Sequence, residues 1–554
     1  MKREYILVFL FAISFLIYIP ALKVPFFWDD RSLIPGLNLE PEIVGVKEEF
    51  RPLRALSFSL DHFLWKDNPS GYHFTNVFLN SLAVILVFYF VNFIFKNDLI
   101  AFLASLFFAF HPVHTEAVVW IKNRTEMFCL IFYLLSFLVF FKNYYLSILF
   151  FILALLSKET AATFPLILTL YFFLFNKRLI SRTLPFWFLA FLRFVITLIY
   201  APKLLGESEE TLNFIQHLWI ICKTYFFYFY LLIFPKNLCV EWRFKIPENF
   251  LSFEFLLPVL TIIVFFFLIY LFRKKKEILF LLLFLLLSLI PQSNIFYIAG
   301  RPWAEQRLYL PSISFCVVLV LLICQLKKKF LVYFVSTLIL LFYGLRTVTR
   351  TYEWQDEERF WRKAISLTPR SARLYLQLGN VYFSMGEYKK AIEEYKKAIS
   401  LNMGFSQPYY NLGIIMMKKK KYKEAIPFFL EVLRLNPDFS LAYYNLGLCY
   451  LKIKEYSLAE KSFLEVLKLK PDNFKVYNNL GVLYKKMGKI EGAMEYFKKA
   501  IEISPNYISA RYNLAIIYKE RGNLKDAVKQ LRVLLKLNSQ HQLTKALYKE
   551  LMHE

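Results

Sequence analysis

Two adjacent carboxylates, Asp29 and Asp30, stand in the stretch VPFFWDDRSL (24–33), directly after the first apolar run of the chain. A carboxylate within hydrogen-bond reach of a hydroxyl can act as a general base. Two side by side perturb each other, which helps keep one of them competent. Further polar clusters interrupt the apolar sequence. HPVHTEAVVWIKNRTE (111–126) carries His111, His114, Glu116, Arg124 and Glu126. SKE (157–159) carries Lys158 and Glu159, and RPWAEQRLYLP (301–311) carries Arg301, Glu305 and Arg307. Arg51 and Arg54 lie in RPLRALSF (51–58). Arginine suits phosphate through its bidentate fork, and glutamates beside it can hold the cation or contact a polar ligand. Plainer readings stand beside these. An aspartate of the pair can cap a helix beginning at DRSLI. His111 and His114 flank Pro112 and can be interfacial structure. Trp28, Trp65, Trp120 and Trp303 read as interface anchors. A zinc site at His111, His114 and Glu116 lacks a matching ligand set.

The elements that position these groups are apolar helices. The chain has 554 residues, of which 58% are hydrophobic, and its mean hydropathy is +0.43. Charge is sparse up to about residue 350 and dense beyond it, which divides a membrane part, 1–350, from a soluble part. The net charge of +26 is split between short basic clusters beside apolar runs and the soluble part, so a nucleic-acid partner is not indicated. Six scattered cysteines without a CxxC or Cys/His cluster argue against a structural zinc or a disulfide framework. MKREYILVFLFAISFLIYIPAL has the basic start of a signal peptide but no convincing cleavage site, and reads as an uncleaved first span.

Candidate runs for crossing a bilayer lie at 5–22, 74–95, 99–116, 127–143, 144–157, 160–175, 183–200, 217–234, 251–272, 277–292, 308–325 and 330–348, of which 144–157 and 160–175 are short and share a polar break at 157–159. Basic residues at 2–3, 177–182, 273–276 and 327–329 mark the inside. Between 182 and 273 the crossings must be even in number, so 217–234, preceded by the acidic GESEE, is expected to be re-entrant or interfacial. About 11 spans result, with the N-terminus cytoplasmic and the chain beyond 348 outside. This topology places all the polar clusters on one face, where charged groups beside spans line a cavity or pathway. Solvated helix ends are the alternative.

The second part is periodic. Leu-Gly recurs at 378–379, 412–413, 446–447 and 480–481, then Leu514-Ala515, in steps of 34, and Ala391, Ala425, Ala459, Ala493 and Ala527 follow the same step. This is the tetratricopeptide repeat: about five repeats from 372 to 541 within a solenoid domain, 372–554. Small residues let paired helices approach, and Tyr or Phe at 395, 429, 463 and 497 fills the gap. A half repeat with Trp361, Ala364 and Pro369 occupies the junction, 351–371, and its missing first helix would be the outward continuation of the last span. Asn411, Asn445, Asn479 and Asn513 also step by 34. An amide that donates and accepts can clamp a peptide backbone, and Lys418, Lys452 and Lys486 lie on a similar face. Fitness for the repeat itself is the alternative. Lys418–Lys421 reads as a solvated turn.

FFWDD, RPLRALSF, GYHFTNVFLN (71–80), HPVHTEAVVWIKNRTE, LLSKETA (155–161), AEQRLYLPS (304–312) and the repeats together resemble the transmembrane and tetratricopeptide-repeat-containing O-mannosyltransferase family, a group within the GT-C membrane glycosyltransferases. The resemblance implies an all-α fold, a polytopic helical bundle followed by a repeat solenoid. It implies transfer of a sugar from a polyprenyl-phosphate donor, at the outer membrane face, to a protein Ser or Thr or a surface-glycan hydroxyl. The catalytic pair would be Asp29 and Asp30. Arg51, Arg54, His111, His114, Glu116, Arg124, Glu126, Lys158, Glu159, Glu305 and Arg307 would serve the donor phosphate or sugar, with Arg307 and Arg124 foremost. Asn411, Asn445, Asn479, Asn513, Lys452 and Lys486 would contact an acceptor peptide. The resemblance names no cofactor beyond the lipid-linked sugar donor, and a divalent cation is compatible with it. The Lys/Ile/Phe-rich composition suggests a bacterial inner membrane with the repeats outside. A non-enzymatic scaffold and a lipid-linked glycan transporter are the competing readings; a transporter should show more ionisable residues midway through its spans.

Overall fold

The computed structural model describes residues 2–27, 30, 51–200, 213–242, 244, 246–247, 249, 251–294, 303–538 and 541–553. Among them the backbone is helical, with no strand and a single isolated antiparallel bridge between Trp242 and Trp303. Two compact units are present, Met1–Leu378 and Gly379–Glu554.

Every apolar run of the first unit forms a helix. Among the described residues, five helical stretches are long and apolar enough to cross a bilayer: Arg3–Lys23, Pro69–Phe95, Lys177–Ile199, Phe253–Leu271 and Lys329–Glu353. Asp98–Phe110 and Pro112–Val119 form a further pair bent by 53°. The break falls at Pro112, which lacks an N–H and cannot continue the hydrogen-bond ladder. Tyr144–Ser157, Glu159–Phe175 and Ser312–Ile323 are shorter apolar helices. Phe214–Ile233 is a helix of 20 residues outside the long apolar set. Asparagine starts several helices: the Asn68, Asn97 and Asn143 side chains accept from Ser70 N, from Leu99 and Ile100 N, and from Leu146 N. Each satisfies an N–H that has no partner within its own helix.

Lys329–Glu353 runs as one helix into a short turn, and Glu357–Leu367 follows with Trp361 and Ala364 buried. The junction is therefore helical and belongs to the first unit.

In the second unit, helix pairs follow the period seen in the sequence. Ser406–Lys418 pairs with Tyr422–Leu435, Ser440–Lys452 with Tyr456–Leu469, Phe474–Lys486 with Ile490–Ile503, and Ile508–Glu520 with Leu524–Leu537. Gln542–His553 ends the array. A Cβ on Gly447 would lie 2.6 Å from the Phe463 ring, and one on Gly481 2.6 Å from Phe497. The aromatic ring of each second helix thus rests where the first helix has no side chain. The turn inside each repeat needs one left-handed residue. Gly386, Gly488 and Gly522 supply it with φ of 75–78°, but Lys420 (φ 59°) and Lys454 (φ 67°) occupy the same place in their repeats.

Two opposite effects are expected. Gly447→Ala should destabilise its repeat by about 1–3 kcal/mol through overpacking. Lys454→Gly should stabilise it by about 0.5–1 kcal/mol by relieving the left-handed lysine. Hydrogen exchange of the 440–469 amides reads both, and unchanged protection in either variant would contradict the corresponding contact.

Candidate active site at the loop end of the bundle

The polar clusters of the first unit touch one another. Asp30 is fully buried, and its carboxylate accepts two main-chain hydrogen bonds: Oδ2 from Phe27 N at 3.1 Å and Oδ1 from Lys122 N at 3.0 Å. The second bond ties the first loop to the segment 111–126. Phe27, just upstream, sits among Trp354, Phe360 and Trp361, with ring centroids 4.8, 4.9 and 5.6 Å away. The half-repeat helix thus holds the chain that leads to the acidic pair. Asp29, Trp28 and Arg301 lie outside the described residues.

Arg51 reaches Glu159, its Nη2 donating at 3.2 Å to each carboxylate oxygen, and Nη1 approaches Thr125 Oγ1 at 3.5 Å. Glu126 pairs with Lys158 in a buried ion pair. Glu116, also fully buried, accepts Gln306 N at 3.2 Å. The first, second, third and last polar segments therefore meet in the structure. Their contact is what satisfies polar groups in an apolar surrounding, where an unpaired charge is costly.

The individual groups differ in how far they remain available. Arg124 is fully buried. Its Nε donates to Asn76 Oδ1 at 2.7 Å, Nη1 to Ser57 Oγ at 3.2 Å, and Nη2 to Tyr72 O at 3.1 Å, with Asp61 Oδ2 at 2.5 Å. The Phe58 ring lies 5.0 Å beneath it. Its donors are committed within the protein, so it braces the loops. Arg54 is buried on the same helix, Pro52–Trp65, as Phe58 and Asp61. His111 Nε2 lies 3.0 Å from Leu232 O while its Nδ1 accepts Val113 N, and His114 Nε2 lies 2.8 Å from Ser312 Oγ. Both imidazoles are buried; His111 packs at a tilt on Tyr343, and His114 packs at a tilt on Phe108 and edge-on to Tyr309. They occupy the bend of the helix pair. Arg307 is half-buried beside the Tyr228 hydroxyl. With Arg51, it is a cation of the cluster that keeps contact with solvent. No group of three or more His, Cys, Asp or Glu among the described residues is placed to hold a metal ion.

Glu305 is fully buried and faces Arg350 Nη2 at 3.6 Å, while Arg350 Nη1 holds Glu353 at 2.7 Å. Burial raises the Glu305 carboxyl above the usual carboxylate range, against the pull of Arg350.

Sequence reading missed several of these partners. Asp61, the counter-ion of Arg124, stands in a segment between spans. Asn76 is a polar position inside an apolar run, and that placement was the available signal; Arg350 lies just past the last run. The tryptophan expectation needs correction. Trp120 and Trp303 are 2% and 4% exposed and pack inside the protein. Trp303 Nε1 donates to Thr224 Oγ1 at 2.8 Å, so its polar edge is satisfied without a headgroup. The asparagine series is also placed. Asn411 Nδ2 donates to Asn380 Oδ1, Asn445 Nδ2 to Tyr410 Oη, Asn479 Nδ2 to Tyr444 Oη and Asn513 Nδ2 to Asn478 Oδ1, at 2.8–3.1 Å. Each amide thus ties its repeat to the one before, while Lys418, Lys452 and Lys486 are exposed.

Two outcomes follow for the first unit, whose unfolding is reported by tryptophan fluorescence, since all nine tryptophans precede residue 362. Asp61→Asn, which leaves the Arg124 charge buried without its counter-ion, should cost about 3–5 kcal/mol, whereas Glu159→Gln at the more exposed pair should cost under about 1 kcal/mol. Equal losses would contradict the bracing role. A carboxyl whose folded pKa is raised binds its proton more tightly in the folded state. Glu305 therefore favours folding at low pH, and that contribution is lost as pH rises from the ordinary carboxylate range to the raised value. Glu305→Gln should flatten this decline of thermal stability with pH; an unchanged slope would contradict the burial effect.

Comparisons with known proteins agree with this layout. The family model described as "Tetratricopeptide repeat" matches residues 406–439, 440–473 and 474–507, with further repeat matches at 379–420 and 496–529. "Protein O-mannosyl-transferase F38B6.6" of Caenorhabditis elegans is 29% identical over 445 residues, covering 72% of this chain and 63% of the relative. "Protein O-mannosyl-transferase TMTC4" of Homo sapiens is 28% identical, covering 63% and 57%, and "Protein O-mannosyl-transferase TMTC2" of Homo sapiens is 24% identical, covering 69% and 61%. The chain thus spans 57–63% of the length of these curated relatives. Among solved structures, "Crystal structure of YrrB: a TPR protein with an unusual peptide-binding site" is 25% identical over 34% of this chain and 97% of that one, with a TM-score of 0.30. The chain is accordingly similar to the TMTC protein O-mannosyl-transferases, and its described residues are helical, with apolar helices in the first part and tetratricopeptide repeats in the C-terminal part.

Proposed function

We propose that the chain is a GT-C-type membrane glycosyltransferase. It moves a sugar, mannose or one like it, from a polyprenyl-phosphate donor to the hydroxyl of a protein Ser or Thr, or of a surface glycan, at the outer face of a bacterial inner membrane. The observation that carries the reading is the meeting of Asp30, Arg51, Glu116, Glu126, Lys158 and Glu159 at one end of an apolar bundle. The named activity of the relatives supports it. In the reaction the acceptor oxygen attacks the anomeric carbon, the bond from that carbon to the lipid phosphate breaks, and the hydroxyl proton passes to a carboxylate of the pair Asp29 and Asp30. The transition state is oxocarbenium-like, as in glycoside hydrolysis. Asp30, which accepts two main-chain N–H groups, also orients the loop. Arg307 and Arg51 are the cations proposed to meet the departing phosphate, since they retain solvent contact. The exposed Leu256, Leu260, Ile263 and Phe267 of Phe253–Leu271 suit the lipid tail. A divalent cation at the phosphate is compatible with this scheme. The repeats bind the acceptor, with exposed Lys452 and Lys486 favouring an acidic segment and the asparagines setting the groove between repeats.

Membranes supplied with polyprenyl-phosphate-linked sugars test the assignment. Asp29→Asn and Asp30→Asn should each lower transfer by about 10²–10⁴-fold, and Asp30→Asn should also speed exchange of the Lys122 amide. Full transfer by both variants would remove the assignment. Lys452→Glu with Lys486→Glu should raise KM for an acidic acceptor peptide roughly tenfold while leaving kcat unchanged; an unchanged KM would remove the peptide from that face.

A further inference from the structure

Arg350 stands behind two loops of the site at once. It lies in the last turn of the helix Lys329–Glu353 and is 2% exposed. Nη2 faces Glu305 Oε1 at 3.6 Å, and Glu305 opens the turn Glu305–Leu308 that carries Arg307. The next residue, Gln306, donates its main-chain N–H to Glu116 at 3.2 Å. The guanidinium carbon of Arg350 lies over the Phe360 ring at 5.1 Å and over the Trp354 ring at 6.0 Å. Those two rings enclose Phe27, whose main-chain N–H Asp30 accepts. Trp354 also lies 6.3 Å from Trp120, just before Lys122, the other main-chain donor to Asp30.

The neighbouring ion pairs show what the Arg350 charge is needed for. Glu353 accepts Arg350 Nη1 at 2.7 Å, but it also binds Arg346 Nη1 at 3.0 Å and Lys363. Its charge is matched without Arg350. Among the described residues, Arg350 is the cation paired with Glu305. Neither Glu305 oxygen makes a hydrogen bond, and neither do Arg350 Nε and Nη2. Their separation of 3.6 Å is beyond a direct hydrogen bond. The hold on Glu305 therefore comes from the charge of Arg350, felt more strongly in a buried place than in water, and not from the fit of its fork.

We propose that Arg350 is a positioning residue of the transfer. It sets the separation of the loop of Asp30 from the loop of Arg307, the first by packing on the rings around Phe27 and the second by attracting Glu305. Displacement at an anomeric carbon needs its base and the cation at the departing phosphate held at one fixed separation, and a misplacement of about 1 Å costs on the order of 10²-fold in rate. Arg350 is buried and acts through the two loops. The kinetic part of the proposal rests on the transferase reading; the hold on the loops does not.

Two main-chain hydrogen bonds report the two loops separately by hydrogen exchange of the full chain: the Lys122 amide on Asp30 and the Gln306 amide on Glu116. Arg350→Gln should speed exchange of both amides by about tenfold while the amides of the span Pro69–Phe95 keep their protection. Arg350→Lys, which keeps the charge and can lie over the same rings, should keep both slow. Glu305→Gln should speed Gln306 alone and Phe360→Leu should speed Lys122 alone, so both arms stay readable if Arg350→Gln does not fold. Unchanged exchange of both amides in Arg350→Gln, or of the expected amide in each single-arm variant, would overturn the proposal. In membranes supplied with polyprenyl-phosphate-linked sugar, Arg350→Gln should lower kcat by about 10²-fold at unchanged donor KM, with most of the rate restored in Arg350→Lys. A loss carried by KM, or no rescue by lysine, would overturn the positioning role. A wild-type chain that transfers no sugar, with the amide pattern as expected, would sink the transferase reading and leave the hold on the two loops standing.

Discussion

A guanidinium with no exposed surface, at the end of an apolar bundle, has to find every hydrogen-bond partner inside the protein. Arg124 does so by drawing on four places in the sequence: the Asp61 carboxylate, Ser57, the Asn76 amide and the Tyr72 carbonyl. The arrangement of the loops follows from that demand. The helix Pro52–Trp65 must lie where Asp61 and Ser57 can reach, and the span Pro69–Phe95 must begin where Tyr72 and Asn76 complete the set. The buried Glu126–Lys158 pair adds the third loop under the same rule. Burial of this kind contributes specificity more than net stability. Arg51 and Arg307, by contrast, still meet water.

Asp30 is tied to the main chain at two places, accepting the N–H groups of Phe27 and Lys122. The ring cluster of Trp354, Phe360 and Trp361 around Phe27 makes the half-repeat helix part of the scaffold of the loop.

Much of this was legible from residue order alone. Apolar runs and a step of 34 are one-dimensional signals, and they survive as helices and helix pairs. The polar segments that interrupt the apolar runs meet in the structure. Pairing is a three-dimensional property and was less legible. Arg124 looked like a ligand-binding cation because its counter-ion, Asp61, lies 63 positions away in a segment with no strong pattern of its own. The tryptophans looked like interface anchors because residue type records an amphipathic edge and not which neighbour satisfies it. The asparagine series shows the same limit: a periodic amide has one signature whether it faces a guest or the preceding repeat.

The asparagine ties carry a consequence for how such a chain can change length. Each amide reaches one repeat back and no further, to Asn380, Tyr410, Tyr444 or Asn478, so every joint is chemically self-contained. An array joined in this way is quasi-one-dimensional. Duplication or deletion of a whole repeat in the gene regenerates an equivalent joint at the seam, while a partial one leaves an amide without an acceptor. Whole-unit gain and loss is the route this geometry leaves open for the array to vary.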